Sequence, residues 1–304
     1  MQSNLYDVVI IGEGAAGLTA ANTAAALGLK VASMEANLFG GLVVNIAELE
    51  GYPAGNKVSG VDVASALMQQ NADLGVENIP DTVTGLGAEG DIKLLHSAQG
   101  VQRARSVVIA SGARMKKLGV PGEQEFEYRG VSQCADCDGP LFKDADVMIV
   151  GGGDAALQEA LTLAEHCRKV SIVLRGDRPR ARHHFVERVR AKPNVELIKN
   201  TVLEEITGGQ TVEKVRLRTG SSVREVPASG VFVFIGLQPT TEFAGAEIKR
   251  DAAGLIVTDS SMQTSVPGIF AAGAARSGYS GRLLSAMGEG TVAALSAARH
   301  LASA

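Results

Sequence analysis

Two segments share one pattern: a short apolar β-branched run, a glycine-rich turn, a helix-forming stretch rich in Ala and Leu, and a second apolar run. This repetition predicts an α/β protein containing two βαβ units. Length supports it, because 304 residues are about twice the ~150 of an average domain. Composition supports it too: 45% hydrophobic and 20% charged residues suffice for two buried cores.

The elements follow in order. Val8-Val9-Ile10-Ile11 reads as a strand buried on both faces, then the chain turns through Gly12-Glu13-Gly14-Ala15-Ala16-Gly17. Leu18 to Leu27 reads as a helix that Gly28 ends, and Lys30 to Glu35 as the next strand. The second unit has Val147 to Val150 as strand, Gly151-Gly152-Gly153-Asp154-Ala155-Ala156 as turn, Leu157 to Cys167 as helix and Val170 to Leu174 as strand. In such a turn the first Gly makes the bend, the second lets backbone approach a pyrophosphate, and the third position packs helix against strand. N–H groups at the helix start then face the phosphates.

The end of the second strand selects the nucleotide. Glu35 lies at about the 20-residue distance from the first Gly at which a carboxylate accepts from a ribose hydroxyl, which suits the adenosine half of FAD or NAD. In the second unit Arg175 takes the equivalent place, with Arg178, Arg180 and Arg182 after it. Positive charge there suits a ribose 2′-phosphate, as in NADP; a solvated basic loop is the other reading.

The net charge of −4 offers no basic excess for nucleic acid or anionic lipid. No apolar run approaches the ~18 residues of a membrane span, and the amino terminus lacks a secretory pattern. A cytoplasmic location is expected. Three cysteines are too few for a secreted disulfide framework. Cys134 and Cys137 form a CxxC pair able to cycle between dithiol and disulfide, and the neighbouring Asp138 is the candidate acid and base, ahead of Asp136. An inert pair is the alternative. Metal is not expected, because Cys167 and His166 complete no four-ligand set; Cys167 reads as a small buried hydrophobe in the second helix. His183-His184, at the start of a basic helix, reads as surface or nucleotide-adjacent and is assigned no role.

Taken in order, the Gly12 turn, Gly40-Gly41, Ala110-Ser111-Gly112-Ala113, Pro121-Gly122-Glu123, Cys134 to Gly139, Gly151 to Ala156 and Gly268 to Gly273 resemble the low-molecular-weight thioredoxin reductases and the flavoprotein subunit of alkyl hydroperoxide reductase. Cys137 to Phe142 and Phe234 to Pro239 are more similar to the second branch, but the length leaves no room for that branch's amino-terminal thioredoxin-like module. A separate disulfide partner, a thioredoxin-like protein or a small disulfide substrate, is therefore expected. The resemblance implies two Rossmann-like domains: an FAD domain from residues 1–117 and 246–304, and an NAD(P)H domain of residues 118–245 inserted in it and carrying the CxxC pair. It implies a homodimer, and electrons passing from NADPH, or NADH, through FAD to the cysteines. By this resemblance Cys134 attacks the partner disulfide, Cys137 faces the flavin and Asp138 donates the proton. Gly12, Gly14, Ala15, Gly17, Glu35, Gly41, Ala113, Gly273, Ala274, Arg282 and Leu283 are implied for FAD, and Gly151, Gly153, Asp154, Ala155, Arg175 and Arg180 for the nicotinamide nucleotide.

Departures from the family pattern alter these expectations. The family's His-Arg-Arg phosphate clamp stands as Leu174-Arg175-Gly176, so Arg178 or Arg182 is expected to supply a missing cation. Ala274 replaces an Asp that meets the ribityl chain, Leu42 a Gln and Gly51 an Asn, while Glu13 adds a negative charge in the phosphate turn. At about 0.5–1.5 kcal/mol per lost hydrogen bond, FAD is expected to bind more weakly. A ferredoxin-fed reductase, a dithiol oxidase and a catalytically weakened nucleotide-binding module are the alternatives these departures suggest.

Overall fold

The computed structural model describes residues 5–50, 52–53 and 58–303, so Gly51 lies outside the described residues. The chain divides into two compact units, Met1–Arg114 with Gln238–Ala304, and Met115–Leu237.

The first unit begins with β1 (Leu5–Ile11), α1 (Ala15–Ala26), β2 (Val31–Met34), a 3-10 turn (Gly41–Asn45), α2 (Gly60–Asp73), β3 (Glu77–Ile79), β4 (Val83–Glu89), β5 (Ile92–Ser97) and β6 (Gly100–Ile109). The chain leaves through β7 (Ala113–Met115). The second unit holds β8 (Val131–Ser132), α3 (Ala135–Asp138), a 3-10 turn (Gly139–Phe142), β9 (Asp146–Val150), α4 (Asp154–Leu163), β10 (Lys169–Val173), α5 (His183–Arg190) and β11 (Val195–Ile198). It continues through β12 (Thr201–Gly208), β13 (Val212–Thr219), β14 (Ser222–Pro227) and β15 (Gly230–Val233). After β16 (Leu237–Pro239) the first unit ends with β17 (Ile269–Ala271), a 3-10 turn (Gly273–Ala275) and α6 (Leu283–Ser303).

The first unit's sheet has the order β3-β2-β1-β6-β5-β4, with β17 also on β6. One edge of β6 serves two neighbours because the strand is long: its first half pairs antiparallel with β5 and its last residues, Val107–Ile109, pair parallel with β17. At the centre, β1 lies parallel to β2 and β6, with Val8 opposite Val31 and Ile11 opposite Ile109. Parallel strands covered on both faces need apolar residues throughout, and Val8, Val9, Ile10, Val107, Val108 and Ile109 are fully buried.

On one face α1 packs against α6 through Ala16, Ala20, Ala21 and Ala24 on one helix and Ala286, Ala293, Ala294 and Ala297 on the other. Small side chains let the two helices approach closely, and one added methylene there overpacks the seam. The second unit has a parallel sheet of order β11-β10-β9-β15-β8 and an antiparallel sheet β12-β13-β14. No described helix is long and apolar enough to cross a membrane.

Two boundaries differ from the sequence reading. Helix α1 starts at Ala15 and not at Leu18, because Gly14 is its N-cap and the glycine turn runs directly into the helix. Helix α4 covers Asp154–Leu163 and not Leu157 to Cys167. Cys167 lies just past the turn that follows the helix, and the Asn194 side-chain amide donates to the Ala164 and Cys167 carbonyls at 3.0 Å each. The thiol is buried, as expected, and burial pushes it up to about 11, with Asp146 adding to the effect.

Candidate functional site

In the first unit the chain leaves β1 at Gly12 with φ +97°, where an added Cβ would lie 2.5 Å from the Ala110 carbonyl oxygen; only glycine fits. The Gly12 amide donates to the Met34 carbonyl at 2.9 Å, fixing the turn to β2. Gly17, one helical turn into α1, packs so closely that its Cβ would meet the Gly12 carbonyl oxygen at 1.9 Å. Gly14 is the N-cap of this 12-residue helix, and among the described residues no side chain caps the amides that open it, Ala15 being the first.

A second glycine turn closes on the first. The Gly40 amide donates to the Glu13 carbonyl, and an added Cβ on Gly41 would stand 3.2 Å from Gly14 Cα. Beyond β2, the Glu35 carboxylate accepts from the Asn37 amide at 2.9 Å and from the Glu13 amide at 3.5 Å, holding it beside the first turn. At the carboxyl end, Gly273 sits against Ala16, where an added Cβ would lie 2.9 Å from the Ala16 Cβ. Its amide donates to Glu289 Oε2 at 2.8 Å, and Arg276 bonds both oxygens of the same carboxylate at 3.1 and 2.7 Å. Ala274 follows Gly273 in this 3-10 turn, Ala113 opens β7, and Arg282 is exposed just ahead of Leu283, the first residue of α6. Leu42 is exposed beside Gly41.

Glu13 is placed differently from the sequence expectation. The residue is 2% exposed and its side chain turns toward β2 and β3, where one oxygen accepts from Ser33 Oγ and from Asn78 Nδ2 at 2.5 Å each. The residue is a structural brace between turn and sheet.

In the second unit Gly151 repeats the role of Gly12, with φ +148° and an added Cβ 2.1 Å from the Phe234 carbonyl oxygen. Gly153 caps α4 with open space around it, and no side chain caps that helix. Asp154 is committed: its carboxylate accepts from the Arg182 amide at 2.7 Å and from Arg182 Nε at 2.6 Å, while the Arg182 guanidinium stacks 4.9 Å from the Phe185 ring. Arg182, unlike Arg175, Arg178 and Arg180, is thereby paired within the protein. Arg175, Arg178 and Arg180 are exposed, and among the described residues their guanidinium groups form no ion pair or side-chain hydrogen bond. The Arg180 amide donates to the Gly152 carbonyl at 2.7 Å, which brings this basic stretch back to the glycine turn. Ala155 is exposed at the start of α4.

Cys134 and Cys137 form a disulfide with Cα atoms 5.3 Å apart. Cys134 is half-buried and Cys137 exposed. The Ser132 hydroxyl accepts from the Cys134 amide at 3.1 Å and donates to Asp138 Oδ2 at 2.6 Å, so it orients the carboxylate next to the pair. The Cys137 amide points at Cys134 Sγ from 3.2 Å. Behind the pair, Glu159 on α4 accepts the Ala135 amide at 2.9 Å. Burial above all, with Asp136 adding to it and the Ala135 N–H opposing it, pushes the Glu159 carboxyl up to about 7. Sequence reasoning passed over Ser132 and Glu159. The signal for Glu159 was present: an acid three residues beyond Ala156 and four before Leu163, on a stripe otherwise apolar.

Two phosphate-type glycine turns, each heading its own βαβ unit, together with a cysteine pair beside an acid, define a nucleotide-dependent disulfide oxidoreductase. The family model for pyridine nucleotide-disulphide oxidoreductases matches residues 6–298. The chain is 38% identical over 300 residues to the thioredoxin reductase of Treponema pallidum, covering 97% of each chain. It is similar to the crystal structure of Lactococcus lactis thioredoxin reductase, with TM-score 0.94, 36% identity and coverage of 98% of this chain and 100% of that one. It is also similar to the crystal structure of T. acidophilum thioredoxin reductase, with TM-score 0.90 and 32% identity over 96% of this chain and 97% of that one. The chain belongs to the pyridine nucleotide-disulphide oxidoreductase family and, within it, to the low-molecular-weight thioredoxin reductases. It is an FAD-dependent oxidoreductase of the thioredoxin reductase type.

Proposed function

We propose that the chain carries electrons from NADPH, through FAD held by residues 1–117 and 246–304, to the Cys134–Cys137 disulfide of residues 118–245, and on to a disulfide in a thioredoxin-like protein. The observation that carries this reading is the disulfide itself, placed one hydroxyl away from the carboxylate of Asp138. FAD fits the first cradle, where Gly12 and Gly41 leave no side chain in the way, the α1 amides receive the pyrophosphate and Glu35 accepts from a ribose hydroxyl. Gly273, Ala274, Ala113, Arg282 and Leu283 complete that assignment by family resemblance. Gly151, Gly153, Asp154 and Ala155 take the nicotinamide nucleotide.

FAD supplies the conversion between a two-electron hydride donor and a disulfide. The protein's own groups do the rest. Opening the Cys134–Cys137 bond with two electrons leaves two sulfurs, one of which takes a proton from Asp138, held in place by Ser132. The Cys134 thiolate then attacks the partner disulfide, forming a mixed disulfide and releasing a thiolate that Asp138 protonates after recovering its proton from Cys137. Cys137 next displaces the second partner sulfur and restores the intramolecular bond. Unpaired Arg175, Arg178 and Arg180 favour NADPH over NADH, because a 2′-phosphate finds cations there that have no protein partner to leave. The same reading includes a cytoplasmic homodimer, for which sedimentation of the purified protein is the direct test.

The testing experiment is an anaerobic titration of the purified protein with NADPH and then NADH at the flavin absorbance, followed by addition of oxidised thioredoxin. Bleaching by NADPH and return of colour with thioredoxin are the expected results. A flavin that stays oxidised with both nucleotides overturns the electron source, and a colourless protein overturns the FAD assignment.

A further inference from the structure

Glu159 has no part in the electron path described above, yet its carboxylate is bonded to the disulfide's own backbone. It lies on the stripe of α4 that carries Ala156 and Leu163, and its Oε2 accepts the Ala135 N–H at 2.9 Å. That N–H belongs to the peptide immediately after Cys134, so α4 grips the redox pair through this contact. The surroundings supply charge from one direction. Asp136, on α3, is the charged group that acts on Glu159, while Asp138 on the same element is turned to Ser132. From α5 come Phe185 and Val189, from β9 Val147 and Ile149, and from β10 Val170 and Ile172, all in one apolar cluster with α4. His166, beyond the end of α4, has its ring against Gly139 in the 3-10 turn that follows α3.

We propose that Glu159 is a positioning residue for the redox pair, holding Cys134 through the Ala135 amide and controlling by its own protonation how readily the opened pair keeps a thiolate at Cys134. The proposal rests on the disulfide reading above, and its chemistry balances. Two electrons, which bound FAD or a dithiol buffer would supply, break the Cys134–Cys137 bond; one sulfur takes a proton from Asp138 and the other remains a thiolate. This new negative charge is one peptide away from the Glu159 carboxylate, and like charges so placed raise the proton affinity of both. Glu159 therefore takes up a proton from solvent when the pair opens and returns it when the pair closes. The carboxyl is already pushed up to about 7 with the pair closed, so the exchange falls in the neutral range.

The test measures the dithiol-to-disulfide ratio of Cys134 and Cys137 in a dithiothreitol redox buffer, by thiol trapping and mass spectrometry of the intact protein. Wild type and Glu159→Gln are compared at pH 6 and pH 8. Glutamine still offers an oxygen to the Ala135 amide but carries no charge. At pH 6, where Glu159 is largely protonated, the two proteins are expected to agree; at pH 8 the variant is expected to favour the dithiol by about three- to tenfold, the effect of up to one unit on a thiol. Equal ratios at both pH values, or one constant factor at both, overturn the proposal.

Asp136→Asn provides a second reading if Glu159→Gln does not fold. Removing the charge that acts on Glu159 is expected to shift the pH at which the wild-type ratio bends to a lower value, and an unmoved bend overturns the proposal. The buffer replaces both NADPH and thioredoxin, so this result is independent of whether the chain uses either one.

Discussion

Glu13 offers a test in which two readings of one residue differ in sign. If its carboxylate lined the phosphate turn, removing it would relieve repulsion and tighten FAD. The structure instead buries it against Ser33 and Asn78, with both bonds at 2.5 Å and Ser33 itself only 4% exposed. Glu13→Ala leaves the buried Ser33 hydroxyl unpaired at about 1–3 kcal/mol, while the exposed Asn78 amide turns to water, so the first unit is expected to lose about 1–3 kcal/mol. With Tm moving by about 2 °C per kcal/mol in a protein of this size, the transition is expected about 2–6 °C lower by calorimetry. Glu13→Gln keeps one acceptor oxygen and is expected to lose about half as much. Because the turn rests on this brace, FAD affinity measured by fluorescence quenching is expected to fall in both variants. A Glu13→Gln protein with unchanged Tm and tighter FAD would refute the reasoning.

Other outcomes follow from the same geometry. Cys134→Ser and Cys137→Ser are each expected to abolish thioredoxin reduction while leaving flavin bleaching by NADPH within about threefold of wild type; stopped-flow absorbance separates the two steps. Arg175→Ala and Arg180→Ala each remove one charge-assisted bond, worth about 1.5–3 kcal/mol, so KM for NADPH is expected to rise about 10- to 100-fold with that for NADH little changed. Equal effects on both nucleotides would sink the 2′-phosphate assignment. Ala274→Asp restores the family's carboxylate and is expected to slow FAD loss on dialysis against wild type; an unchanged loss rate would show that this position does not face the cofactor. For Glu159, the folded carboxyl at about 7 lies above its ordinary value of 4.5. The folded state then binds more protons than the unfolded one between these values, and stability declines as pH rises through that window, by at most about 3 kcal/mol. Denaturant titrations of Glu159→Gln are expected to show this decline removed, and a parallel pH profile would contradict it.

Much of the site was legible because its chemistry is local. A glycine turn between a β-branched strand and an alanine-rich helix announces a phosphate-binding unit, since backbone approach and positive φ restrict Gly12 and Gly151 to glycine. The CxxC pair and Asp138 were legible for the same reason, as neighbours in sequence must be neighbours in space. Helix starts were displaced because Gly14 and Gly153 act as caps within the turns themselves. Cys167 fell outside its expected helix because Asn194, distant in sequence, takes the last carbonyls.

The sequence by itself therefore determined two βαβ units, their phosphate turns, the position of Glu35 and the redox pair, all set by short-range stereochemistry and periodicity. Only the tertiary structure decided which charges remain available. It turned Glu13 inward to Ser33 and Asn78, locked Arg182 onto Asp154 while leaving Arg175, Arg178 and Arg180 unpaired, and placed Glu159 behind Cys134. A charged side chain's partner depends on which element lies within about 3 Å of its tip, and residues far apart in the chain meet there only after the sheets and helices have packed.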